Sequence, residues 1–474
     1  MPTCRTADDH PTVHLFHRAV CTLAAGRRGV IQQAIGLMLC AASAAAPAAD
    51  APGQVFRDLL DGSHRVAAAR TDEQGATERR DEVFRRAWTP NVSLTAQAGD
   101  QHYQTESIPG AHRDADSTTL RGTQLLYDFG RSSRQVDEAD AVIRQTGAVS
   151  KATRDGVLLE GLTAHWSAVR ARAVLEYSRR SEASVQNLTK IESSLVELGR
   201  GYESNVLQAK VQLASAEARR VRADGALSIA DARVAAVFGA LAPKVDYSQV
   251  AQPIAERLPA SLEQAREAAL ARNRQLEVGT YRSQALSHRA ASVQAREALP
   301  RLELVAERSR RHNWDTTMDK SRVDDNKVLV QLSWSFNLGM AGSSAKSAAD
   351  QDLQASTQRE AETRDLVLEQ VAIAWRNLLV ARQNSDTLAN QVRIAGKFFE
   401  MATAERQMGR RTLLDVLSAE VALINAMSDL VSAEVDGNIA ALTLLQATGQ
   451  LDMDALRFAD ARTVLPDPAG AVPR

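Results

Sequence analysis

The sequence predicts a mainly α-helical fold with a small β part, built from two similar halves. Three features lead to this prediction: an internal repeat, two long runs without proline, and short stretches in which apolar and polar residues alternate. The repeat is clearest where the motif at 198–200 returns at 408–410, 210 residues later, and Pro90 and Pro300 have the same spacing. Such a repeat indicates two copies of one structural unit, each of which needs the other to bury its apolar face.

The first 49 residues differ from the rest and have the pattern of an export signal. Arg27 and Arg28 precede an apolar run at 34–42, and the small residues at 46–49 suit signal peptidase. All three cysteines lie in this leader, so we expect no disulfide in the exported chain. A short buried helix is the alternative interpretation of the apolar run.

The composition excludes several functions. Basic and acidic residues number 57 and 58, and this balance gives no reason to expect nucleic acid as a partner. The sequence contains no HExxH, P-loop, GxGxxG or GxSxG motif, and the histidines outside the leader are scattered. We therefore predict no catalytic residue, no bound metal and no cofactor. Past the leader, no segment is expected to reach the length of a membrane-spanning apolar helix, so strands would have to cross any membrane.

Each half is expected to begin with a helix and to change to strand at its proline. In the second half the helix is predicted to run from its N-cap, Ser261, to about Glu297. Pro300 then ends it, because the residue before a proline is pushed to an extended conformation.

After each proline the sequence predicts a β-hairpin, at 91–129 and at 300–338. In the last strand of the later hairpin, apolar residues alternate with polar ones. These apolar residues are Val328, Val330, Leu332, Trp334 and Phe336. One face of such a strand suits lipid and the other suits water, as in the wall of a membrane barrel. A soluble hairpin is the alternative, because the earlier hairpin alternates less cleanly and places Arg121 and Thr123 where Val330 and Leu332 are expected.

A basic cluster lies at the end of the first strand of the later hairpin. Its members are Arg308, Arg310, Arg311 and His312. The cluster is placed to meet lipid phosphates outside the bilayer by charge attraction, and a solvated strand end is the alternative interpretation.

Two helical hairpins complete the halves, at 131–238 and 340–448. Each begins with roughly 68 residues without proline, which corresponds to a helix about 100 Å long. Gly199 and Gly409 mark a reversal into a second helix, which ends near Gly239 and Gly449, where glycine is a natural cap. Abundant alanine favours close lateral packing. The predicted division is a leader (1–49), two repeats (50–240 and 261–450), a linker (241–260) and a loosely ordered tail (451–474).

Four features together resemble the TolC-like outer-membrane factor family. They are the proline-led strand, the segment from Leu125 to Arg131, the helix around Trp166 and again around Trp375, and the turn at 408–417. The resemblance covers roughly residues 55 to 450 and occurs twice in the same order. It implies an α-barrel of long antiparallel helices, joined to a twelve-stranded β-barrel to which each chain of a homotrimer contributes four strands. Four strands alone cannot close a membrane barrel, since known barrels have at least eight, so further copies are needed.

The resemblance also assigns roles to the two helix reversals. In the family, these reversals form periplasmic tips that contact a membrane-fusion adaptor protein. The corresponding residues are Leu198, Gly199, Arg200, Met408, Gly409 and Arg410. The alternative interpretation is that these glycines are only helix caps, because capping alone produces the same sequence pattern at a helix reversal.

A periplasmic gate is implied beside the second tip. There Asp415 matches an acidic residue that narrows the tunnel, and Arg411 matches an arginine that restrains the closed state. Ser418 stands where some members have a second aspartate, so a double acidic ring is not expected. The alternative for Asp415 is an acid in the first helical turn, favoured by the helix dipole.

These implications favour a passive exit duct in the outer membrane, with a long periplasmic extension and no enzymatic activity. The expected partners are two further copies of the chain, outer-membrane lipid, an adaptor, and an inner-membrane ABC transporter or other efflux pump. The chain as a whole resembles the ducts that secrete adenylate cyclase-haemolysin toxins, which implies type I secretion of a protein. Efflux of small toxic compounds is the alternative within the family, and a soluble periplasmic coiled-coil scaffold is the alternative outside it.

Overall fold

The structure is a computed structural model that describes residues 53–105, 108–313, 322–335 and 339–465. The predicted leader therefore lies outside the described residues. The helices are α1 (Gln54–Gly62), α2 (His64–Trp88), α3 (Arg131–Glu197), α4 (Glu203–Phe238), α5 (Leu262–Arg272), α6 (Arg274–Ala298), α7 (Ala341–Gln407), α8 (Leu413–Ala447) and α9 (Ala461–Val464). The strands are β1 (Asn91–Thr105), β2 (Ile108–Tyr127), β3 (Gln249–Pro253), β4 (Arg301–His312), β5 (Arg322–Ser333) and β6 (Leu456–Asp460).

Two helical hairpins dominate the fold, and each half contributes one. The long helices α3 and α7 each contain 67 residues, which gives a length of about 100 Å. Each reverses within a few residues into its shorter partner, α4 or α8, and packs against it. The prediction of a mainly helical chain with a small strand part and an internal repeat is confirmed.

The helices lie side by side in a layer. Contacts join α4 to α3, α3 to α8 and α8 to α7, while α2 and α6 pack on α3. The buried residues of α4 include alanines spaced seven apart, and they face its neighbours in the layer. These are Ala209, Ala216, Ala223 and Ala230. A seven-residue spacing keeps one stripe facing the neighbouring helix, and alanine lets the two helices lie close together.

The main sheet has four antiparallel strands in the order β1-β2-β4-β5. Asn91 pairs with Thr123 in the first hairpin, and Arg301 pairs with Ser333 in the second. Arg301 follows Asn91 by 210 residues, and Ser333 follows Thr123 by 210 residues, which is also the spacing of Pro90 and Pro300. The two hairpins are therefore structural equivalents, and β2 and β4 join them at the centre of the sheet.

The predicted continuous helix after Ser261 is interrupted, which corrects that expectation. Ser261 is the N-cap as predicted, since its Oγ accepts a hydrogen bond from the Gln264 N–H at 3.2 Å. Asn273 then separates α5 from α6, because its backbone is extended and its Oδ1 accepts from the Gln275 and Leu276 N–H groups. Its Nδ2 donates to the Ala447 carbonyl at 2.8 Å, which ties this break to the end of α8.

The expectation of a loosely ordered tail is wrong for residues 451–465. In this segment β6 pairs antiparallel with β3, which lies in the predicted linker. Leu451, Ala455 and Leu456 are buried in the largest apolar cluster. The prediction of a loosely ordered tail was based on Pro466, Pro468 and Pro473. These three prolines lie outside the described residues.

The largest apolar core surrounds this small sheet. Trp166 is fully buried, and its Nε1 donates a hydrogen bond to the Ala251 carbonyl of β3 at 2.9 Å. The Nε2–H of its neighbour His165 donates to the Gln249 carbonyl at 3.0 Å, and burial lowers the pKa of His165 to about 4. His165 is thus a neutral residue of the core at neutral pH.

Two segments are long and apolar enough to cross a membrane, by length and composition alone. They are Glu203–Lys244, which contains α4, and α8. The expectation that no segment past the leader reaches this length is therefore wrong. Most of the apolar window of α8 is buried among other helices, as in the core helix of a helical layer. Alanine-rich packing helices and spanning helices have similar composition, so this test does not place either helix in lipid.

Candidate functional site: two sheet faces and two helical tips

The main sheet has one apolar face, formed by residues from all four strands. Directly paired residues of neighbouring strands point to the same side of a sheet, so the register identifies the members of this face. They are Val92, Leu94, Ala96, Leu120, Leu302, Leu304, Ala306, Val328, Val330 and Leu332. On β5 the side chains of Val328, Val330 and Leu332 are 75%, 60% and 64% exposed. Such a contiguous exposed apolar surface indicates contact with a membrane or another protein.

Trp334 follows β5 and continues its alternation. Its side chain is 63% exposed. Phe336, the last member of the predicted face, lies outside the described residues. Aromatic residues are enriched at the edges of the apolar band of membrane barrels, and Trp334 has the position expected of such an edge.

The opposite face of the sheet is polar and carries a ladder of charges. Glu307 of β4 lies between Arg121 of β2 and Lys327 of β5. The Lys327 Nζ is 2.7 Å from Glu307 Oε1, and the Arg121 Nη1 is 3.7 Å from Glu307 Oε2. Arg121 Nη2 also donates to Gln331 Oε1 at 3.4 Å. These contacts hold three strands together on the side away from the apolar face.

The register corrects the predicted alignment of the two hairpins. With a spacing of 210 residues, Arg121 is equivalent to Gln331, so both lie on the polar face. Leu120 and Gly122 are the equivalents of Val330 and Leu332. On β2 the apolar side then carries Thr118, Leu120, Gly122 and Gln124, so the earlier hairpin has the same two faces as the later one but alternates less cleanly, as the sequence indicated. The sequence comparison missed the equivalence of Arg121 and Gln331 because Gly130 and Gly339 suggested a spacing of 209 residues instead of 210.

The apolar face ends at different points on different strands. On β1 apolar residues continue to Ala98, whereas on β5 they end at Val328. Ala98 is level in register with Asp116, His312 and Arg322 of the other strands. The boundary therefore crosses the register diagonally. A diagonal boundary is expected if the strands are tilted by about 35–45° in a membrane wall.

Both long helices end in the same capping motif. The backbone N–H groups of Gly199 and Arg200 donate to the carbonyls of Val196 and Leu195, and the corresponding bonds recur at Gly409 and Arg410. Gly199 and Gly409 have φ values of +74° and +72°, which glycine adopts without steric cost. Leu198 and Met408, the last residues before these glycines, are 71% and 61% exposed. All six predicted tip residues are exposed to solvent in the single chain.

Asp415 forms a capping box at the start of α8. Its N–H donates to Thr412 Oγ1, and its Oδ2 accepts from the Thr412 N–H at 3.3 Å and from Thr412 Oγ1 at 2.7 Å. Asp415 and Ser418 are both exposed. Arg411 pairs with Glu405 through Nε and Oε2, 2.7 Å apart, and lies over the Phe398 ring. The structure thus places Arg411 in a contact within its own tip.

One contact between the two helical hairpins was not predicted from the sequence. Glu192 of α3 is 3% exposed, and its Oε1 is 2.6 Å from Arg406 Nη2 of α7. The repeat equivalent of Glu192 is Ala402, which is also buried. A comparison of the halves would therefore have marked Glu192 as unusual, since a buried carboxylate requires a partner.

Two carboxyl groups on α8, the buried Glu420 and the half-buried Glu434, lack complete hydrogen bonding. Glu420 Oε2 and Glu434 Oε2 have no hydrogen-bond partner among the described residues. Burial raises the pKa of Glu420, and a hydrogen bond with Ser184 opposes this. Burial raises the pKa of Glu434 to about 7. Glu434 lies in a cavity of about 440 Å³ that Arg382, Arg457 and Glu256 also line.

Glu434 is expected to make stability fall as the pH rises from about 5 to 7.5. The folded state holds this proton more tightly than the unfolded state, so its contribution is complete at low pH and is lost as the pH passes the folded pKa. At about 1.4 kcal/mol for each pKa unit the full shift would correspond to about 3 kcal/mol, and because Glu434 is only half-buried and screened by solvent we expect about 1–2 kcal/mol. Thermal unfolding followed by circular dichroism checks this. Glu434→Gln should flatten the pH dependence, whereas Asp429→Asn, at an exposed position of α8, should leave it. An unchanged slope in Glu434→Gln contradicts the assignment.

These features define a class of protein. A sheet with one exposed apolar face and one polar face, joined directly to helices of about 100 Å, belongs to subunits of membrane channels that continue into a helical extension. The family model described as "Outer membrane efflux protein" matches residues 55–240 and 265–450, one match in each half. The chain belongs to this family.

Individual relatives agree with this family. The chain is 24% identical over 349 residues to the outer membrane efflux protein BepC of Brucella suis, with 73% of this chain and 74% of BepC covered. It is 24% identical over 455 residues to the outer membrane protein TolC of Escherichia coli, covering 89% and 87%. The crystal structure of the outer membrane protein VceC of Vibrio cholerae has the same fold, with a TM-score of 0.70, 19% identity, and 84% of this chain and 96% of VceC covered.

The family settles class and location. The chain is an outer-membrane channel protein of the TolC type, with a long periplasmic helical extension, and is not an enzyme. The expectation of a TolC-like fold and of an outer-membrane location is confirmed.

Proposed function

We propose that the chain is the exit duct of a tripartite export system and that three copies form one channel. The observation that carries this proposal is that both layers of the fold end in open edges. Among the described strands, β1 and β5 lie at the edges of the main sheet, and α4 and α7 lie at the edges of the helical layer. An open sheet edge in lipid leaves backbone groups unpaired at a cost of several kcal/mol each. Pairing β1 of one copy with β5 of the next removes this cost.

The outer helices support the same assembly. Exposed apolar residues on α7 recur at multiples of seven residues, and α4 carries further ones. They are Leu366, Ile373, Val380, Ile394 and Met401 on α7, and Leu207, Val211 and Val221 on α4. A seven-residue spacing is that of a coiled-coil seam. A neighbouring copy would bury both seams while it closes the sheet.

Cross-linking through introduced cysteines tests the closure. All cysteines lie in the predicted leader, so the exported chain offers a background without thiols. Leu94→Cys on β1, combined in turn with a cysteine at each position from 328 to 333 on β5, should give covalent dimers and trimers, with the trimer as the largest product. Leu94→Cys with Leu304→Cys is the matched control, because β4 lies inside the sheet. A ladder that stops at the dimer or continues beyond the trimer contradicts the proposed assembly.

The apolar face is proposed to contact lipid and the tips to contact an adaptor protein. The exposed residues Leu198 and Met408 offer apolar contacts at the far ends of the hairpins. A partner is required because the chain carries no nucleotide-binding motif, so the energy for transport has to come from an inner-membrane ABC transporter or other pump through the adaptor.

Asp415 is proposed to line a periplasmic gate near the second tip. The two hydrogen bonds that the Asp415 carboxylate accepts from Thr412 both use Oδ2, and three copies of an exposed carboxylate around one axis would attract cations. We expect Asp415→Ala to lower the ratio of cation to anion permeability in planar bilayers. Since the same change removes the helix cap, two variants separate the effects. Asp415→Asn removes the charge and keeps an acceptor, and Thr412→Ala removes the cap and keeps the charge.

The gate proposal requires that selectivity follows the charge. Asp415→Asn should behave as Asp415→Ala in the permeability ratio, and Thr412→Ala should keep the wild-type ratio with a loss of about 1 kcal/mol in stability. If Asp415→Asn keeps the wild-type ratio, Asp415 has no role in selectivity and acts only as a cap. Ser418, exposed one turn further along α8, is expected to contribute no charge.

Protein secretion is the proposed transport role, and it rests on the overall resemblance to ducts for haemolysin-type toxins. Efflux of small compounds is the second candidate, favoured by the relative BepC, which is named as an efflux protein. Deletion of the gene in its own host distinguishes protein secretion from efflux of small compounds. Loss of a secreted protein from the culture medium, with unchanged resistance to dyes and detergents, supports secretion. Loss of resistance with an unchanged set of secreted proteins supports efflux and contradicts the secretion proposal.

A further inference from the structure

We propose that the outer end of β4 and β5 binds the phosphate group of a lipid in the outer leaflet, a proposal that rests on the duct function above. The binding surface consists of Arg308, Arg310 and Arg322, here called the basic edge. Arg308 is paired in register with Asn326, and Arg310 with Asp324. All three arginines are exposed and lie on the same side of the sheet as the apolar face. The basic edge therefore continues the surface proposed to contact lipid.

The basic edge carries more positive charge than its own contacts neutralise. Asp324 lies between two of the arginines, with Oδ1 2.9 Å from Arg310 Nε and Oδ2 3.4 Å from Arg322 Nε. The Arg308 guanidinium group makes no hydrogen bond or ion pair with the described residues, and Asp324 acts on it only as a nearby charge. Among the described residues, the three guanidinium groups thus share the Asp324 carboxylate. A second carboxylate, Asp116, lies one strand further away on β2, where its Oδ1 is 3.2 Å from His312 Nδ1.

The height of the basic edge matches the boundary of a membrane. Asn326, beside Arg308, lies eight residues before Trp334, and Asp324, beside Arg310, lies ten residues before it. With a rise of about 3.4 Å per residue and a tilt of about 40°, these positions are roughly 21 and 26 Å above Trp334. The apolar band of a membrane barrel is about 25 Å tall. The basic edge therefore lies where lipid headgroups begin.

The chemistry of the basic edge favours phosphate. A guanidinium group presents a planar fork of donors that binds phosphate oxygens in pairs, and Arg308 has this fork unoccupied. An arginine in the middle of the band would cost about 2–4 kcal/mol, but near the interface the cost falls to about 0–1 kcal/mol. A headgroup phosphate at this height can therefore bind the Arg308 fork directly, since no side chain among the described residues is hydrogen-bonded to it.

Strand alternation supplies a matched control. Arg311 lies on β4 between Arg310 and His312, but it belongs to the polar face of the sheet with Glu307. Arg308→Gln and Arg311→Gln thus remove the same charge from the same end of the same strand, on opposite sides of the wall. Only the first change should affect a lipid outside the wall.

The test measures binding of lipid A to protein purified from outer membranes. Fluorescent lipid A that carries its phosphates is compared by anisotropy with the same lipid after the phosphates are removed. Wild-type protein should bind the phosphorylated lipid more tightly. Arg308→Gln should weaken that binding about fivefold, the effect of about one basic residue near a charged lipid surface. Arg308→Lys should bind with an affinity between those of the wild type and Arg308→Gln, because lysine keeps the charge but lacks the fork, and Arg311→Gln should match the wild type.

Two results would overturn the proposal. One is equal binding of both lipids by the wild-type protein, an outcome that needs no variant and so does not depend on folding. The other is an equal effect of Arg308→Gln and Arg311→Gln. Failure of the duct proposal is read separately, because it would show as an absence of conductance steps when the wild-type protein is added to planar bilayers that contain no lipid A.

Discussion

Val330→Glu is expected to prevent assembly in the outer membrane. Val330 lies on the apolar face, 60% exposed and four residues before Trp334, which places it roughly 10 Å above Trp334 and near the middle of the band. A charge there costs about 1–2 kcal/mol in each copy, somewhat less than the cost for arginine. The cost is repeated in every copy of a shared barrel. Heat-resistant oligomer recovered from outer membranes should fall by at least about tenfold.

The adjacent residue provides the control. Gln331→Glu adds the same charge on the polar face, where Arg121 Nη2 already lies 3.4 Å from the side-chain oxygen. This variant should assemble as the wild type does and gains an ion pair with Arg121. If both variants assemble normally, the apolar face does not contact lipid. If both fail, the polar face is not exposed to water.

Gly449→Ala is expected to destabilise the protein strongly. Gly449 ends the helical hairpin of the second half with a φ of +68°, and a Cβ there would lie 2.1 Å from the Arg272 carbonyl oxygen. The backbone cannot move away easily, because the Asn273 side chain ties this segment to the end of α8. Left-handed strain and overpacking together should cost about 3 kcal/mol or more.

The repeat again supplies the matched variant. Gly239 is the equivalent residue of the first half, with a φ of +53°, and a Cβ there would have no heavy atom within 4 Å. Gly239→Ala should therefore cost only the backbone strain, about 1–3 kcal/mol, because its ψ of −123° lies outside the left-handed helical region. Thermal unfolding of the two variants by circular dichroism measures the difference. Equal losses would mean that the contact with Arg272 does not restrict this position.

Local signals made the long helices predictable. Each 67-residue helix lies between two glycines and contains no proline, and the left-handed glycine at its end fixes where the chain reverses. The alternation after Pro300 similarly predicted the strands of the second half. These signals act within a few residues, so they can be read without knowledge of the partner elements.

Features that depend on distant partners were missed. The pairing of β3 with β6 joins residues about 200 positions apart, and neither five-residue segment has an alternation that stands out. Asn273 interrupts a helix through a bond to Ala447, which sequence patterns do not show. Glu192 and Arg406 are ordinary residues of helical surfaces until two hairpins bring them together. The hairpin alignment failed by one residue, which in a strand exchanges the two faces.

The central claim is that copies of this chain form a continuous water-filled duct across the outer membrane. Current measurement across planar lipid bilayers tests it most directly, with protein purified in detergent and added to one side. Discrete conductance steps that disappear when Val330→Glu replaces the wild-type protein are predicted. A wild-type protein that stays soluble without detergent and gives no conductance steps would contradict the claim.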